Sequence, residues 1–256
     1  VEERDVKRVV IVGAGFIGLE MAENLHEYGI DVSIVEMADQ VMTPVDYEMA
    51  AIVHQHLKAK GVDLYLQEAV TAFRQTGEGM EVVLRSGLML QTDMVLLSIG
   101  VRPDARLAKA AGLEIGETGG IKVNEYLQTS DPDIYAVGDA IEFPNPVSGR
   151  PALAFLAGPA NKQGRICADN AVYGNRRKYK GSINTAIAKV FDLTVGAAGL
   201  SAKMLERLQI PYREAIIHGA SHAGYYPGAI MMDIKINFSP TDGKLLGAQV
   251  VAADGA

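Results

Sequence analysis

The run Arg8-Val-Val-Ile-Val-Gly-Ala-Gly-Phe-Ile-Gly-Leu-Glu20 constrains the fold of this chain more than any other stretch. Val9 to Val12 are consecutive apolar residues, the pattern of a strand buried on both faces in a parallel sheet. Three glycines follow at the spacing Gly13-x-Gly15-x-x-Gly18. The first allows a tight turn, the second removes a side chain that would hold a phosphate away from the backbone, and the third lets a helix pack closely on the strand. Ala14, Phe16 and Ile17 complete the turn, and Ile17, Met21 and Leu25 form the apolar row of the helix that begins there. The N-terminus of that helix offers N–H groups and a positive dipole end to an anion. A second strand, Asp31-Val-Ser-Ile-Val, ends on Glu36, where a carboxylate accepts from the ribose hydroxyls of an adenosine and repels a 2′-phosphate. Met37-Ala-Asp-Gln40 bring no arginine. The ligand these residues point to is a dinucleotide, NADH in preference to NADPH; a glycine-rich turn without a ligand is the competing reading.

At 256 residues the chain exceeds the usual size of one domain. A formal net charge of −7, with no basic run longer than Arg176-Arg177-Lys178, argues against a nucleic-acid partner, and that short run reads as a solvated turn. One cysteine, Cys167, excludes an internal disulfide framework and a cysteine-based zinc site. His218 and His222 have metal-like spacing but no third ligand, so no metal is expected there. No apolar run reaches the length of a membrane span and no signal peptide is visible, which leads to the expectation of a cytoplasmic protein without a membrane partner.

Further along, Met49, Ile52, Val53 and Leu57 predict a helix over about 46–60, stopped by Gly61 and followed by a strand at 62–66. Alternating runs at 70–74 and 80–84 flank Gly77-Glu-Gly79 and read as an antiparallel meander. Asp93 to Gly100 returns to a buried-strand pattern, so Gly100 and the loop Val101-Arg-Pro-Asp104 are candidates to border a ligand at a strand's carboxyl end. A second block opens near Thr118-Gly-Gly120. In it a short strand, Ile134 to Val137, is expected to deliver Gly138 and Asp139 to its end, although the Gly-Asp pair by itself reads more readily as a simple turn. Cys167, beside Ile166 in an apolar helical row, reads as a small buried residue.

Three motifs taken together resemble the flavin-dependent pyridine nucleotide-disulfide oxidoreductases: GxGxxGxE over Gly13 to Glu20, Gly100-Val-Arg-Pro103, and Thr129-Ser-Asp-Pro-Asp-Ile-Tyr-Ala-Val-Gly-Asp139. They stand in the family's order and the resemblance covers essentially the whole chain. It implies an α/β protein with a Rossmann-like NAD-binding domain carrying an antiparallel meander at 1–117. Part of an FAD-binding domain at 118–181 and the start of an α+β dimerisation domain at 182–256 would follow. FAD and NAD(P)H are the implied cofactors. Asp139, beside Gly138, matches the aspartate on the ribityl or pyrophosphate region of FAD. Leu156, Ala157 and Gly158 match the helix start that faces the flavin pyrimidine, where negative charge accumulates on reduction. Glu20 matches a glutamate paired with a lysine of the first FAD segment, near the stacked nicotinamide and flavin rings.

Two further strings, Leu156-Ala-Gly-Pro-Ala-Asn-Lys-Gln-Gly-Arg165 and His222-Ala-Gly-Tyr-Tyr-Pro-Gly-Ala229, resemble coenzyme A-disulfide reductases, including rhodanese fusions, and the related NADH oxidases and peroxidases. That branch uses a single redox cysteine and a homodimer. The resemblance implies coenzyme A disulfide as substrate, Asn161 in the substrate-lining helix, and the Tyr225 phenol near the substrate sulfur in a partner subunit. The competing reading of Tyr225-Tyr226 before Pro227-Gly228 is a hairpin with one ring packed in a core. The family's own FAD glycine motif and redox cysteine precede its NAD domain, whereas this chain opens at Val1 directly before that domain, and Cys167 does not match the redox position. Gly247 to Ala256 matches a stretch partway through the interface domain. The expectation is therefore a fragment that could bind NADH without turnover, its NAD domain better protected from hydrogen exchange than the two blocks after it.

Overall fold

The strand Arg8–Val12 (β1) is buried on both faces because alternate side chains enter different cores. Val9 and Ile11 pack among helices, while Val10 and Val12 pack against a small antiparallel sheet. This arrangement comes from a computed structural model that describes residues 6–77 and 79–253. Val1, Glu78 and Asp254 to Ala256, which the expectations from the sequence include, lie outside the described residues.

The first unit follows the sequence closely. Helix α1 (Phe16–Glu27), β2 (Asp31–Glu36), α2 (Tyr47–Ala59) and β3 (Asp63–Leu66) precede an antiparallel meander of β4 (Val70–Thr76), β5 (Gly79–Leu84) and β6 (Met89–Thr92). The third meander strand, β6, was not legible as a run of its own. Strand β7 (Met94–Leu97) then rejoins the parallel sheet, whose order is β3-β2-β1-β7. Helices α1 and α2 cover one face; Val82 and Leu84 of the meander meet Val10 and Val35 on the other. The fold is Rossmann-like α/β. Two expectations need correction. Asp93 to Gly100 is not a buried strand: β7 is an edge strand, and Leu97 and Ile99 are 58% and 75% exposed. Nor does Ile17 join the buried row of α1, because the buried face consists of Gly18, Leu19, Ala22, Glu23 and Leu25.

Helix α3 (Arg106–Ala110) leads to a three-stranded sheet of β8 (Ile121–Lys122), β9 (Ile141–Pro144) and β10 (Pro151–Ala152), followed by α4 (Ala157–Tyr173). Its core is small: Leu127, Ile141, Phe143, Ala154, Ile166 and Tyr179. Ile134 to Val137 is not a strand. A turn closes at Asp131, whose carbonyl accepts from the Ile134 N–H, and only a single bridge, Gln128 to Tyr135, pairs the segment. Gly138 to Ala140 then form one 3-10 turn. Cys167 is half-buried rather than fully buried and packs against the same core. The Arg176-Arg177-Lys178 turn is exposed at its tips but anchored beneath, where the buried Asn170 amide accepts from the N–H groups of Arg176 and Arg177 and donates to the carbonyls of Tyr126 and Arg177.

The last unit is an antiparallel sheet of β11 (Ala186–Val190), β12 (Leu193–Gly199), β13 (Arg213–Ala220), β14 (Met231–Phe238) and β15 (Leu245–Ala252), in the order β11-β12-β15-β14-β13, with α5 (Ala202–Arg207) in the crossover. It shares a core with the first unit, since Ala188, Val190, Phe191, Val195 and Val251 belong to the cluster formed by α1, α2 and β1. No described helix is long and apolar enough to cross a membrane.

Candidate functional site

Two of the three glycines of the first turn are required by close packing, and the third leaves open space. Gly13 has φ +103°, and a Cβ there would lie 2.4 Å from the Ser98 carbonyl oxygen. A Cβ on Gly18 would lie 2.1 Å from the Gly13 carbonyl oxygen, so neither position admits a side chain. Gly15 is different, because a Cβ there meets nothing within 4 Å. Space therefore lies open above the residue that caps α1, a helix with no side chain on its first N–H groups. A side chain at 15 would fill the volume that those donors face, which is the cradle a pyrophosphate needs.

Beside this cradle stands Glu36 at the end of β2. Its Oε2 accepts from the Ala14 N–H and its Oε1 from the Ala38 N–H, both at 2.8 Å. The carboxylate is thus held in one orientation, with lone pairs on each oxygen left for a sugar diol. Met37 is 72% exposed and Gln40 is buried, its amide donating to the Val45 carbonyl and accepting from the Lys203 ammonium. Met37 to Gln40 themselves include no Lys or Arg, and the ammonium beside them, Lys203, is engaged by the Gln40 side-chain oxygen and the Thr43 carbonyl. Glu20 is exposed on α1, and among the described residues its carboxylate has no hydrogen bond or ion pair. Phe16 is half-buried at the helix start and Ile17 exposed beside it. Gly100, three residues past the end of β7, has φ +95°, a backbone conformation that residues with a side chain rarely adopt.

A second cluster forms around α4. The Gly138 N–H donates to the buried Gln163 Oε1 at 2.6 Å, tying the 3-10 turn to the helix. Gly138 has φ +77°, and Asp139 beside it is exposed. Leu156 caps α4 through backbone alone, so the N–H groups over Ala157 and Gly158 carry no side-chain partner, and a Cβ on Gly158 would meet open space. The exposed Asn161 donates from Nδ2 to the Ala157 carbonyl of its own helix. The open N-terminal turn, the exposed carboxylate and the vacant side of Gly158 suit a polar, electron-rich ligand.

Residues 1–160 match the pyridine nucleotide-disulphide oxidoreductase family. The chain belongs to that family. It is 38% identical over 255 residues to an NADH oxidase of Methanocaldococcus jannaschii, covering 99% of this chain and 56% of that protein. It is 35% identical over 256 residues to an NAD(P)H coenzyme A polysulfide/persulfide reductase of Pyrococcus horikoshii, covering 99% and 56%. Among solved structures, the reduced Bacillus anthracis CoADR-RHD superposes with a TM-score of 0.95 at 50% identity, over 99% of this chain and 45% of that one. The chain thus spans about half the length of the relatives it matches.

In this member of the pyridine nucleotide-disulphide oxidoreductases, the tertiary structure brings together Gly13 to Gly18 with Glu36, and Gly138 and Asp139 with α4. Among the described residues no hydrogen bond or ion pair joins those two clusters, and none joins either to Tyr225. Tyr225 lies between β13 and β14, 83% exposed, its ring 4.9 Å from that of Tyr226. Neither ring fills a core. His218 pairs with Asp233, His222 stacks edge-on with Tyr226, and the described residues contain no metal-binding group of three.

Sequence reasoning missed Ser98, Gln163 and the residues that dock the third unit on the first. Glu23, on the apolar face of α1, accepts from the Phe191 N–H at 2.8 Å and pairs with Lys189. Asp46 caps α5 across the boundary, accepting from the Ala202 N–H at 3.0 Å, and also accepts from Gln249 Nε2 at 2.7 Å. Burial alone would raise the Asp46 pKa, but these bonds and Lys235, at 3.1 Å, bring it below the usual carboxylate value. Burial likewise opposes the charge on Lys235, yet its bonds to Glu214, Glu48 and Asp46 hold its pKa up. The visible signal was one of polarity out of place: a single Glu or Lys inside an otherwise apolar face.

Proposed function

We propose that this chain supplies the NAD(P)H-binding domain (1–117), the second segment of the FAD-binding domain (118–181) and the N-terminal part of the dimerisation domain (182–256) of a flavin-dependent NAD(P)H:disulfide oxidoreductase resembling coenzyme A-disulfide reductase. The observation that carries this reading is the open cradle over Gly15 beside a Glu36 carboxylate oriented by two backbone N–H groups. NADH is the favoured reductant, because a 2′-phosphate would sit against that carboxylate with no nearby cation among residues 37–40.

When bound, NAD(P)H and FAD would supply hydride transfer between them, and the electron pair would pass on to a cysteine other than Cys167 and from it to a disulfide. This chain's own residues bind and orient. Gly15 and the N-terminal turn of α1 hold the pyrophosphate, and Glu36 holds the adenosine ribose. Gly100 borders the cofactor, and Glu20 holds the lysine that stands near the stacked rings. Asp139 engages the polyol or phosphate portion of FAD, while the N–H groups over Leu156 to Gly158 stabilise negative charge on the flavin pyrimidine. Asn161 lines the path of a coenzyme A disulfide, and Tyr225 presents its phenol to the substrate sulfur of a partner subunit in a homodimer. The exposure of Tyr225 supports the last role. A cytoplasmic location fits a thiol-linked reductant system.

The test uses the FAD-loaded full-length protein without oxygen. NADH should bleach the flavin, and coenzyme A disulfide should restore its colour; failure of NADH to bleach it sinks the proposal. Restoration by oxygen alone would favour the oxidase activity named for the Methanocaldococcus relative. A second reading, a nucleotide-binding module without turnover, is favoured for the chain by itself, because its one cysteine is half-buried with a thiol pKa raised by burial.

A further inference from the structure

One peptide of the dinucleotide turn is gripped at both ends. The Ala14 N–H donates to Glu36 Oε2 at 2.8 Å, and the Gly13 carbonyl oxygen accepts from the Ser98 hydroxyl at 2.8 Å. These are the two polar ends of the same Gly13–Ala14 peptide plane. The two grips come from opposite sides of β1, Glu36 from the end of β2 and Ser98 from just past β7. Ser98 is further engaged through its backbone, whose N–H donates to the Val12 carbonyl at 2.8 Å. It also bounds two of the three glycines, since its carbonyl blocks a Cβ at Gly13 and its Oγ lies 2.7 Å from a Cβ at Gly18.

We infer that Ser98 is a positioning residue for the cofactor pyrophosphate, acting through the Gly13–Ala14 peptide. The inference rests on the turn being the NAD(H) site. Turning this peptide over changes ψ of Gly13 and φ of Ala14, and glycine, having no Cβ, restricts the first of these least. Here one end meets a donor and the other an acceptor. Reversal would lose the Ser98 bond and turn the carbonyl toward the Glu36 carboxylate, so the two side chains select one orientation. That orientation sets where the next N–H groups, at Gly15 and in the first turn of α1, point before any ligand arrives. It also links the carboxylate that meets the ribose to the backbone that meets the phosphates. A preorganised turn spares the ligand the cost of ordering it.

The experiment compares Ser98→Ala and Ser98→Thr with the unsubstituted full-length protein. It measures NADH affinity by calorimetry and hydrogen exchange of the Ala14 amide in the ligand-free state. Ser98→Ala should weaken NADH binding about three- to tenfold, the range of one neutral hydrogen bond, and speed exchange at Ala14. Ser98→Thr, which keeps the hydroxyl, should restore both. Combined with Glu36→Gln, Ser98→Ala should lose less than the product of the single effects, because both act on one peptide. Unchanged NADH affinity and unchanged Ala14 exchange in Ser98→Ala would overturn the inference alone. If the unsubstituted protein does not bind NADH, the site reading fails and takes the inference with it.

Discussion

Glu36 serves two partners at once, and this shapes what its replacement should do. Glu36→Gln keeps an acceptor but removes the charge, so NADPH discrimination should fall by about 1–3 kcal/mol, the range for a charged hydrogen-bonding contact. Glu36→Ala should lose the same discrimination and also weaken NADH, because the Ala14 and Ala38 N–H groups lose their acceptor. Comparing dissociation constants for the two nucleotides tests both; an unchanged ratio in Glu36→Gln removes Glu36 from nucleotide choice. Cys167 raises a second question at this scale. Its half-buried thiol, raised in pKa by burial, should react with a disulfide reagent more slowly than a free thiol at the same pH. Cys167→Ala should leave NADH binding and disulfide-reductase turnover of the FAD-loaded full-length protein unchanged, and abolished turnover with normal flavin content would contradict a purely packing role.

Elements are joined here by charges buried where two units meet. Asp46 opens α2 but spends its carboxylate on the N-terminus of α5, on Gln249 and on Lys235. Lys235→Met should therefore cost about 3–5 kcal/mol in denaturant unfolding, because it strands Asp46 in the interior without its cation. A loss below 1 kcal/mol would show that water or rearrangement compensates. The pH dependence follows from the direction of the shifts. His54 is buried, its Nε2 accepts from the Val41 N–H, and burial followed by the nearby Lys58 lowers its pKa. His56 is lowered as well, chiefly by burial. In that case the unfolded chain binds more protons once the pH drops below 6.5, so stability should decline from there downward. Asp46 acts lower still. Its depressed pKa contributes stability that is complete above the unfolded value of 3.8 and is lost as the pH falls through the folded one. Unfolding curves for the protein and for His54→Gln between pH 4.5 and 7.5 check the first part, since the variant should show the shallower decline (about this window, from the reference pKa of histidine).

Across the whole molecule the apolar core is uneven. The first unit and the third share one cluster, which runs from Val9 and Leu57 to Val195 and Val251, while residues 118–180 rest on a smaller core of their own. The shared cluster changes the expectation that both later blocks are less protected than the first, because the third unit now rests on the same core as the first. Amides of β11, β12 and β15 should exchange on the same timescale as β1 and β2, and those of β8 to β10 should exchange first. Exchange of β12 before β9 would show that the shared core does not hold the units together. Adding NADH should slow exchange over Gly13 to Gly18 and near Gly100, with little change at Asp139.

What the sequence determined by itself was local and periodic. Val9 to Val12 read as a buried parallel strand, and Gly13, Gly15 and Gly18 mark a turn whose next strand ends in a carboxylate, because such spacing depends on a few adjacent residues. Gly138 and Asp139 stood out through the motif that runs from Thr129 to Asp139, not through a local strand pattern. Burial was not local. Whether Asp93 to Gly100 lies in the middle of a sheet or at its edge depends on which strand pairs beside it, so its apolar run misled. Ile134 to Val137 likewise looks like a strand until its backbone finds only one bridge. Ser98, Glu23 and Lys235 gained their meaning only when segments far apart in the chain met: a hydroxyl becomes a clamp when a carbonyl arrives 2.8 Å away, and an isolated charge becomes a lock when burial removes water from its pair.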